Sequence, residues 1–367
     1  MGKTFRSRVY TDRPAYADYP APEKFNAIQA IILTRLKQHP KAICSYSGGA
    51  DSDILLDLIE RTRKIFPSLP PVKYVFFNTG LEMKATKDHV REVAEKYGVE
   101  IEECKPKINI VKASRKYGIP FMSKHFSQAL GDWQRKDVPM SIIDEYEKAE
   151  DKAVTFQKFV ICYPKSKRLI NFLLNTDKNG VQHFNQLGFQ SEKYLREYME
   201  KYPPDFQISA KCCDYCKKQV AHQVQKGFDM VITGERMAEG GVRATSNRML
   251  EINPLNTLCF FEQSNGQYRL RPLYYVSDSD KQWYKEHYGI RYSDAYEVYG
   301  LTRTGCCGCP ISYKAVEDLE KIRPHEPNVV KAAWNIFGKS YLYRQKYNEY
   351  KTKRKREDSL SGQMSLL

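Results

Sequence analysis

A glycine-rich loop between an apolar run and an amphipathic segment is the feature that most constrains this chain. Residues 42–46 form a short apolar run, and residues 53–65 place apolar side chains at helical spacing, so the loop joins a strand to a helix. The loop reads S-G-G-A-D-S from Ser47 to Ser52. First-turn amides of a helix have no intrahelical partner and the helix dipole is positive there, so this junction is suited to binding a phosphate. Because no G-K-[ST] follows, the loop is not a Walker A loop.

Each residue type in the loop has a place in phosphate binding. Gly48 and Gly49 let the backbone approach the ligand, and Ser47 and Ser52 add hydroxyl donors. A carboxylate beside a polyphosphate is explained if it holds a divalent cation between the oxygens, so we assign Asp51 to Mg2+. The alternative, a Ser/Gly/Asp turn before a helix cap, needs neither both serines nor this acid. We therefore expect an adenine nucleotide at this loop.

The loop resembles the PP-loop of the adenine nucleotide alpha hydrolase superfamily, which includes ATP pyrophosphatases and sulfonucleotide reductases. Residues 78–82, N-T-G-L-E, resemble the D-T-G segment of phosphoadenosine phosphosulfate (PAPS) reductases, with Asn78 in place of Asp. Residues 230–243 resemble the Gly-x-Arg segment of these reductases, whose arginines bind the anionic nucleotide. Residues 116–124 resemble reductase sequence after the third strand, which suggests that Lys124 reaches the nucleotide.

The resemblance thus implies two sets of site residues. The predicted nucleotide-binding residues are Ser47, Gly48, Gly49, Asp51, Ser52, Asn78, Thr79, Gly80, Thr233, Gly234, Arg236 and Arg243. The predicted catalytic residues are Asp51, Lys124 and Arg236. The nucleotide is ATP with Mg2+, or PAPS or adenylylsulfate in its place.

Six of the ten cysteines lie in two short clusters. The first cluster, K-C-C-D-Y-C-K-K, contains Cys212, Cys213 and Cys216, and the second, T-G-C-C-G-C-P, spans residues 304–310. Cys213 with Cys216, and Cys306 with Cys309, form two C-x-x-C pairs that supply four thiolates. This spacing is compatible with tetrahedral zinc and with a [4Fe-4S] cluster.

Resemblance to adenylylsulfate reductases favours the [4Fe-4S] cluster over zinc. Those enzymes use two adjacent cysteines and a later C-x-x-C pair, so the fourth ligand here is open between Cys212 and Cys216. Reductases also carry a C-terminal E-C-G-x-H segment whose cysteine is the nucleophile, whereas this sequence has no cysteine after Cys309. We therefore do not expect an ordinary reductase, unless Cys307 or the unused cysteine of the first cluster takes that role.

The charge balance favours an anionic partner. Lys and Arg number 59 against 44 Asp and Glu, a net charge of +15, and the chain contains 26 Tyr and 17 Phe. Basic and aromatic residues together suit phosphate neutralisation and base stacking, although enzymes of small anions are basic too. We expect a nucleic-acid partner, with DNA favoured over tRNA.

Two terminal features complete the expected partners and location. Residues Gln363–Leu367 resemble the Q-x-x-L-[FL] peptide by which bacterial DNA-processing proteins bind the sliding clamp. The polar residues 1–13 show no signal peptide, and no 18-residue apolar stretch occurs. We expect a cytoplasmic protein without membrane association.

The fold class predicted from these motifs is α/β. We expect a doubly wound, mainly parallel Rossmann-like sheet of the PP-loop (HUP) type, with a helical insertion and a C-terminal cysteine-containing helical extension. The predicted regions are an N-terminal arm and helix (1–40), a PP-loop nucleotide-binding domain (41–256) with the insertion at about 108–209, an extension carrying the second cysteine pair (257–346), and a flexible basic tail (347–367).

The leading functional hypothesis is an ATP pyrophosphatase that adenylates a nucleic acid for sulfur transfer. It resembles the ATPase of DNA phosphorothioation systems and the tRNA thiolation enzymes, and a sulfur donor such as a cysteine desulfurase would be its partner. One alternative is a sulfonucleotide reductase that releases sulfite. Another is a non-catalytic, nucleotide-binding module associated with DNA.

Overall fold

A computed structural model provides the fold. It describes residues 14–182, 188–189, 192–239, 259–263 and 265–364, with side chains to residue 360. The chain divides into two compact units, each built from two segments. Unit 1 comprises Met1–Pro106 and Gln219–Gly305, and unit 2 comprises Lys107–Lys218 and Cys306–Leu367.

Unit 1 contains a six-stranded sheet whose strand order is β3-β2-β1-β4-β6-β5. The strands are β1 Ala42–Ser45, β2 Lys73–Phe77, β3 Ile101–Cys104, β4 Met230–Thr233, β5 Phe260–Glu262 and β6 Tyr268–Leu270. Every neighbouring pair is parallel except β5 and β6. The predicted mainly parallel α/β fold is therefore confirmed, and β1 lies inside the sheet between β2 and β4.

Fifteen α-helices occur in the described part of the chain. In chain order they are α1 Ala21–Gln38, α2 Ala50–Ile65, α3 Lys84–Tyr97, α4 Ile110–Tyr117, α5 Lys124–Trp133, α6 Ile142–Lys148, α7 Lys152–Cys162, α8 Lys167–Leu174, α9 Leu195–Lys201, α10 Lys211–Cys213, α11 Gln219–Gln225, α12 Asp278–Tyr288, α13 Asp294–Glu297, α14 Ala315–Ile322 and α15 Pro327–Met364. Among these described helices, none combines the length and apolar character that crossing a membrane requires.

The core of unit 1 lies between the sheet and its helices. Helices α1 and α2 contribute fully buried side chains such as Ile28, Ile32 and Leu55, which pack in one apolar cluster with Tyr74 of β2 and Tyr284 of α12. Burial of such side chains stabilises the fold by about 1.5–3 kcal/mol each. This packing fixes α2 against the sheet, and with it the loop before α2.

The hairpin of β5 and β6 extends this sheet beyond the predicted domain boundary at residue 256. Strand β6 pairs with β4, with Ile232 opposite Leu270, and β5 folds back on β6. Residues 259–305 therefore belong to unit 1 and not to a separate extension. Three-residue strands are too short to give a periodic sequence signal, which explains the misplaced boundary.

Unit 2 is helical in its described part, and α4 to α9 occupy the region of the predicted insertion. Its core is rich in aromatic side chains, among them Phe121, Phe156, Phe172 and Tyr198. These residues pack against one face of α15, where Tyr347 is 1% exposed.

Residues 347–364, for which we predicted a flexible tail, continue helix α15. Ion pairs hold this part of α15 to the segment just before α9. Lys351 lies 2.5 Å from Glu192, and Asp358 lies 2.6 Å from Lys193. The helix is thus anchored by residues distant in sequence. The predicted clamp-binding peptide Gln363–Leu367 lies outside the residues whose side chains are described.

Candidate functional site

The predicted phosphate-binding loop lies between β1 and α2 in unit 1. Gly48 has φ +66°, and a Cβ there would lie 2.8 Å from Cγ2 of Thr86, so only glycine fits. The Ser52 hydroxyl accepts hydrogen bonds from the amides of Ser47, at 3.3 Å, and Gly49, at 3.0 Å, and it donates to the Gly49 carbonyl at 2.7 Å. Ser52 therefore closes the loop that the sequence predicted.

Two hydroxyls from the last residues of the second segment of unit 1 also line the loop. A Cβ at Gly49 would lie 2.9 Å from Oγ1 of Thr304 and 3.2 Å from the Tyr296 hydroxyl, and that hydroxyl bonds the Ala50 amide. Hydroxyls and first-turn amides are the groups that bind phosphate oxygens. Sequence reasoning missed both residues because they lie about 250 positions from the loop, and Thr304 stands out only as the start of the second cysteine motif.

Asp51, in the first turn of α2, contacts two cations. Its Oδ1 lies 2.9 Å from Nε of Arg236 and 2.9 Å from Nζ of Lys281. Arg236 is 5% exposed and also contacts Asp278, with 2.9 Å between Nη2 and Oδ1. Burial lowers the pKa of Arg236, but the two carboxylates outweigh it and raise the pKa overall. Sequence reasoning found Asp51 and Arg236 but missed Lys281.

One buried polar atom at this site, Oγ1 of Thr233, has no hydrogen-bond partner among the described residues. Oδ1 of Asp51 is held by the two cations, Nε of Arg236 and Nζ of Lys281, each at 2.9 Å. Thr233 ends β4 opposite Ser45 of β1, and a Cβ at Gly234 would lie 3.1 Å from the Asp51 carbonyl. Because buried polar atoms are ordinarily bonded, the Thr233 hydroxyl is suited to accept or donate a hydrogen bond to a ligand or water at this site.

The remaining predicted nucleotide residues are placed as follows. Asn78 follows β2, and its Oδ1 accepts from the Gly80 amide at 2.9 Å while its Nδ2 donates to Glu103 at 2.5 Å. Thr79 is fully buried, so Asn78–Gly80 form an ordered turn whose contact with nucleotide stays a prediction. Lys124 begins α5 in unit 2, and Arg243 lies outside the described residues.

Both predicted cysteine clusters lie in unit 2. Cys212 and Cys213 share a hydrogen bond that raises the pKa of Cys212 and lowers that of Cys213, and Lys124 and Lys217 lower the pKa of Cys213 further. Burial raises the pKa of Cys309 to about 12, and the neighbouring Cys306 and Cys213 add to that shift. The thiols of the two clusters are therefore close enough to interact electrostatically.

Gly308 holds the second cluster against α15. It has φ +63°, and a Cβ there would lie 2.6 Å from the Tyr341 hydroxyl and 3.0 Å from Cβ of Ala333. The Tyr341 hydroxyl donates to the Gly308 carbonyl. In the first cluster, Asp214–Lys218 form a π-helical turn, a local irregularity that is common at functional sites.

The fit of these residues to metals differs between the two sites. Among the described residues, no three His, Cys, Asp or Glu side chains are arranged to hold a metal ion. Asp51 is thus a single carboxylate, which suits Mg2+ only if nucleotide phosphates supply the other ligands. The buried thiols suit zinc or [4Fe-4S] by donor chemistry. The Cys216 thiol donates to the Ile108 carbonyl at 3.3 Å, so the fourth ligand stays open between Cys212 and Cys216.

Comparisons with known proteins agree with the loop assignment. Residues 41–154 match the phosphoadenosine phosphosulfate reductase domain. No curated protein sequence matches the chain.

Three solved structures match the chain at low similarity. A PAPS reductase from Candida auris has 15% identity and a TM-score of 0.37, over 78% of this chain and 96% of that one. FMN adenylyltransferase from Candida glabrata, in complex with ATP, has 12% identity and a TM-score of 0.36, over 79% and 66%. The U34-tRNA thiolase NcsA from Methanococcus maripaludis, with its [4Fe-4S] cluster, has 11% identity and a TM-score of 0.31, over 87% and 80%. At these values the likenesses carry no conclusion about activity.

Proposed function

Since residues 41–154 match the PAPS reductase domain, we propose that this protein is an ATP pyrophosphatase that adenylates a nucleic acid for sulfur transfer. The observation that carries the proposal is the pair of cations, Arg236 and Lys281, that meet at Asp51 beside the loop. Two cations at the loop suit an anionic nucleotide, and a carboxylate between them suits a triphosphate that arrives with Mg2+.

The residues of unit 1 supply the groups that this reaction needs. The hydroxyls of Ser47 and Thr304 would bind the β- and γ-phosphates, while Ser52 holds the loop in its closed shape. An oxygen of the nucleic acid would attack the α-phosphorus; the new oxygen–phosphorus bond forms as the bond to the β-phosphate oxygen breaks. Arg236 and Lys281 would stabilise the negative charge on the leaving pyrophosphate.

Two cofactors belong to this proposal. Asp51 would hold Mg2+, which supplies charge neutralisation at the phosphates. Cys213, Cys306 and Cys309, with Cys212 or Cys216, would hold a [4Fe-4S] cluster that carries sulfur or stabilises unit 2. The turn at Gly308 and the π-helical turn at Asp214–Lys218 would position these thiols.

A labelled-nucleotide assay tests the reaction. Protein purified without oxygen is incubated with α-labelled ATP and Mg2+, with and without DNA or tRNA. AMP and pyrophosphate that increase with nucleic acid would support the proposal. Absence of product, with ATP binding retained, would instead support the non-catalytic module. A colourless protein with stoichiometric zinc would overturn the [4Fe-4S] assignment.

The second candidate is a sulfonucleotide reductase, which the match of residues 41–154 favours by itself. It requires a cysteine nucleophile, for which the described candidates are Cys307 and the unused member of Cys212 and Cys216. Sulfite release from PAPS in the presence of a thiol reductant, without pyrophosphate release from ATP, would establish this activity in place of the first.

A further inference from the structure

Two tyrosines are stacked on the surface of unit 2 beside the first cysteine cluster. The rings of Tyr117 and Tyr215 have centroids 4.6 Å apart and planes 3° apart. Tyr117 ends α4, and Tyr215 lies in the π-helical turn between Cys213 and Cys216. Both side chains remain partly exposed, so the pair presents an aromatic surface to solvent.

Lysines surround this tyrosine pair. The Nζ atoms of Lys116 and Lys211 lie 5.2 Å and 5.3 Å from the centroid of the Tyr117 ring. Within the described part of the chain, neither lysine forms an ion pair with a carboxylate, while the nearby Asp214 is paired with Lys218 at 2.7 Å. The surface is therefore aromatic and cationic at once.

We propose that the Tyr117–Tyr215 surface binds a single-stranded stretch of nucleic acid. A base would stack on the tyrosine pair, and Lys116 and Lys211 would bind the flanking phosphates, which is the combination that single-strand binders use. A duplex keeps its base faces inside the stack, so only its phosphates and base edges are accessible. The inference rests on the proposed function in that the nucleic acid is taken as the substrate; it places the bound strand beside Cys213.

The binding test uses the full-length protein and fluorescein-labelled 12-nucleotide oligo(dT) and oligo(U), followed by anisotropy at several salt concentrations. Tyr117→Ala should weaken binding about tenfold or more, because base–aromatic stacking contributes about 1–3 kcal/mol per base. Tyr117→Phe, which keeps the ring, should bind like the wild type. Lys116→Ala should reduce the slope of log affinity against log salt by about 0.7, the value for one phosphate contact on a single strand.

Tyr313→Ala is the matched control. Tyr313 is 78% exposed in the same unit and has Lys314 Nζ 5.7 Å from its ring, but no second ring is stacked on it among the described residues. Its loss should leave the affinity unchanged. Equal affinities for wild type and Tyr117→Ala would overturn the inference, as would polyglutamate competing as well as the oligonucleotides, which would show a general polyanion surface.

The failures of the two proposals are distinguishable. If the wild type binds nucleic acid and nucleic acid raises pyrophosphate release, but Tyr117→Ala changes neither, only the surface is wrong. If the wild type binds no oligonucleotide at all, both the surface and the nucleic-acid substrate are wrong. Circular dichroism of each variant confirms that the exposed substitutions leave the fold intact.

Discussion

At the residue scale, the Asp51 carboxylate forms ion pairs with two cations, Arg236 and Lys281. Asp51→Asn should lower pyrophosphate release on the order of 100-fold, because the carboxylate for Mg2+ is lost. The same change should leave ATP binding in EDTA equal or tighter, since Arg236 and Lys281 lose their negative partner. The labelled-nucleotide assay measures pyrophosphate release, and calorimetry with and without Mg2+ measures ATP binding. Asp278→Asn, at an 83% exposed side chain, is the control; unchanged turnover in Asp51→Asn would refute the metal role.

Lys281 is the second residue on which this site depends. Lys281→Ala should weaken ATP binding about 10- to 100-fold, since a hydrogen bond to a charged group contributes about 1.5–3 kcal/mol. Lys285 lies one helical turn later and is paired with Glu297 at 2.7 Å, so Lys285→Ala provides a matched loss of charge. Equal losses in the two variants would mean that Lys281 acts only through the general positive field.

At the element scale, the turn at Gly308 positions the second cysteine cluster. Gly308→Ala should cost about 1–3 kcal/mol and lower the bound iron, because its Cβ would meet Tyr341 and Ala333. Gly300→Ala tests the backbone strain alone, since φ is +67° there with no atom within 4 Å of a Cβ. Iron analysis and urea unfolding of both variants separate strain from displacement. Full iron content in Gly308→Ala would contradict the positioning role.

A buried ion pair joins α1 to α12. Lys24 Nζ lies 2.6 Å from Oδ2 of Asp280, and Ser277 donates to the same carboxylate. Burial raises the pKa of Asp280, but these bonds outweigh it and hold the pKa below its ordinary value. A depressed carboxyl pKa stabilises the fold above the unfolded pKa, about 3.9, and that contribution is lost as the pH falls through the folded value.

Lys24→Met should therefore reverse the pH dependence of this carboxyl. Without its cation the buried carboxylate is expected to cost about 3–5 kcal/mol at pH 7, and less at pH 4.5, where protonation relieves it. Urea unfolding at both pH values measures the difference. A destabilisation that is the same at pH 4.5 and pH 7 would show that Lys24 stabilises only through packing.

At the scale of the whole molecule, the sequence predicted the elements with strong local signals. The loop before α2, the strands on either side of it and the two cysteine clusters carry their signal within a few residues. Lys281, Tyr296 and Thr304 do not, because their contacts with the loop form only when the chain folds back. The β5–β6 hairpin was missed for the same reason: its pairing with β4 is set by tertiary contacts.

The continuation of α15 past residue 346 gives a further test. Truncation after Lys346 should cost about 3–5 kcal/mol, because it removes the buried Tyr347 ring and its 2.8 Å bond to Glu192. The exposed ion pairs lost with it contribute up to about 1 kcal/mol each. Truncation after Leu360 retains these contacts and should leave the free energy of unfolding unchanged. Urea unfolding that is equal for both truncations would support the flexible tail instead.

The division of each unit into two segments has a consequence for the timing of synthesis. Cys216 and Cys306 are separated by about 90 residues of unit 1, so at about 5–20 residues per second the first cysteine cluster waits roughly 5 to 20 seconds for the second. During that interval the growing chain presents three thiols whose partners have not yet been made. If the two clusters share the proposed [4Fe-4S] site, this interval is when the first cluster is open to oxidation or to another metal ion.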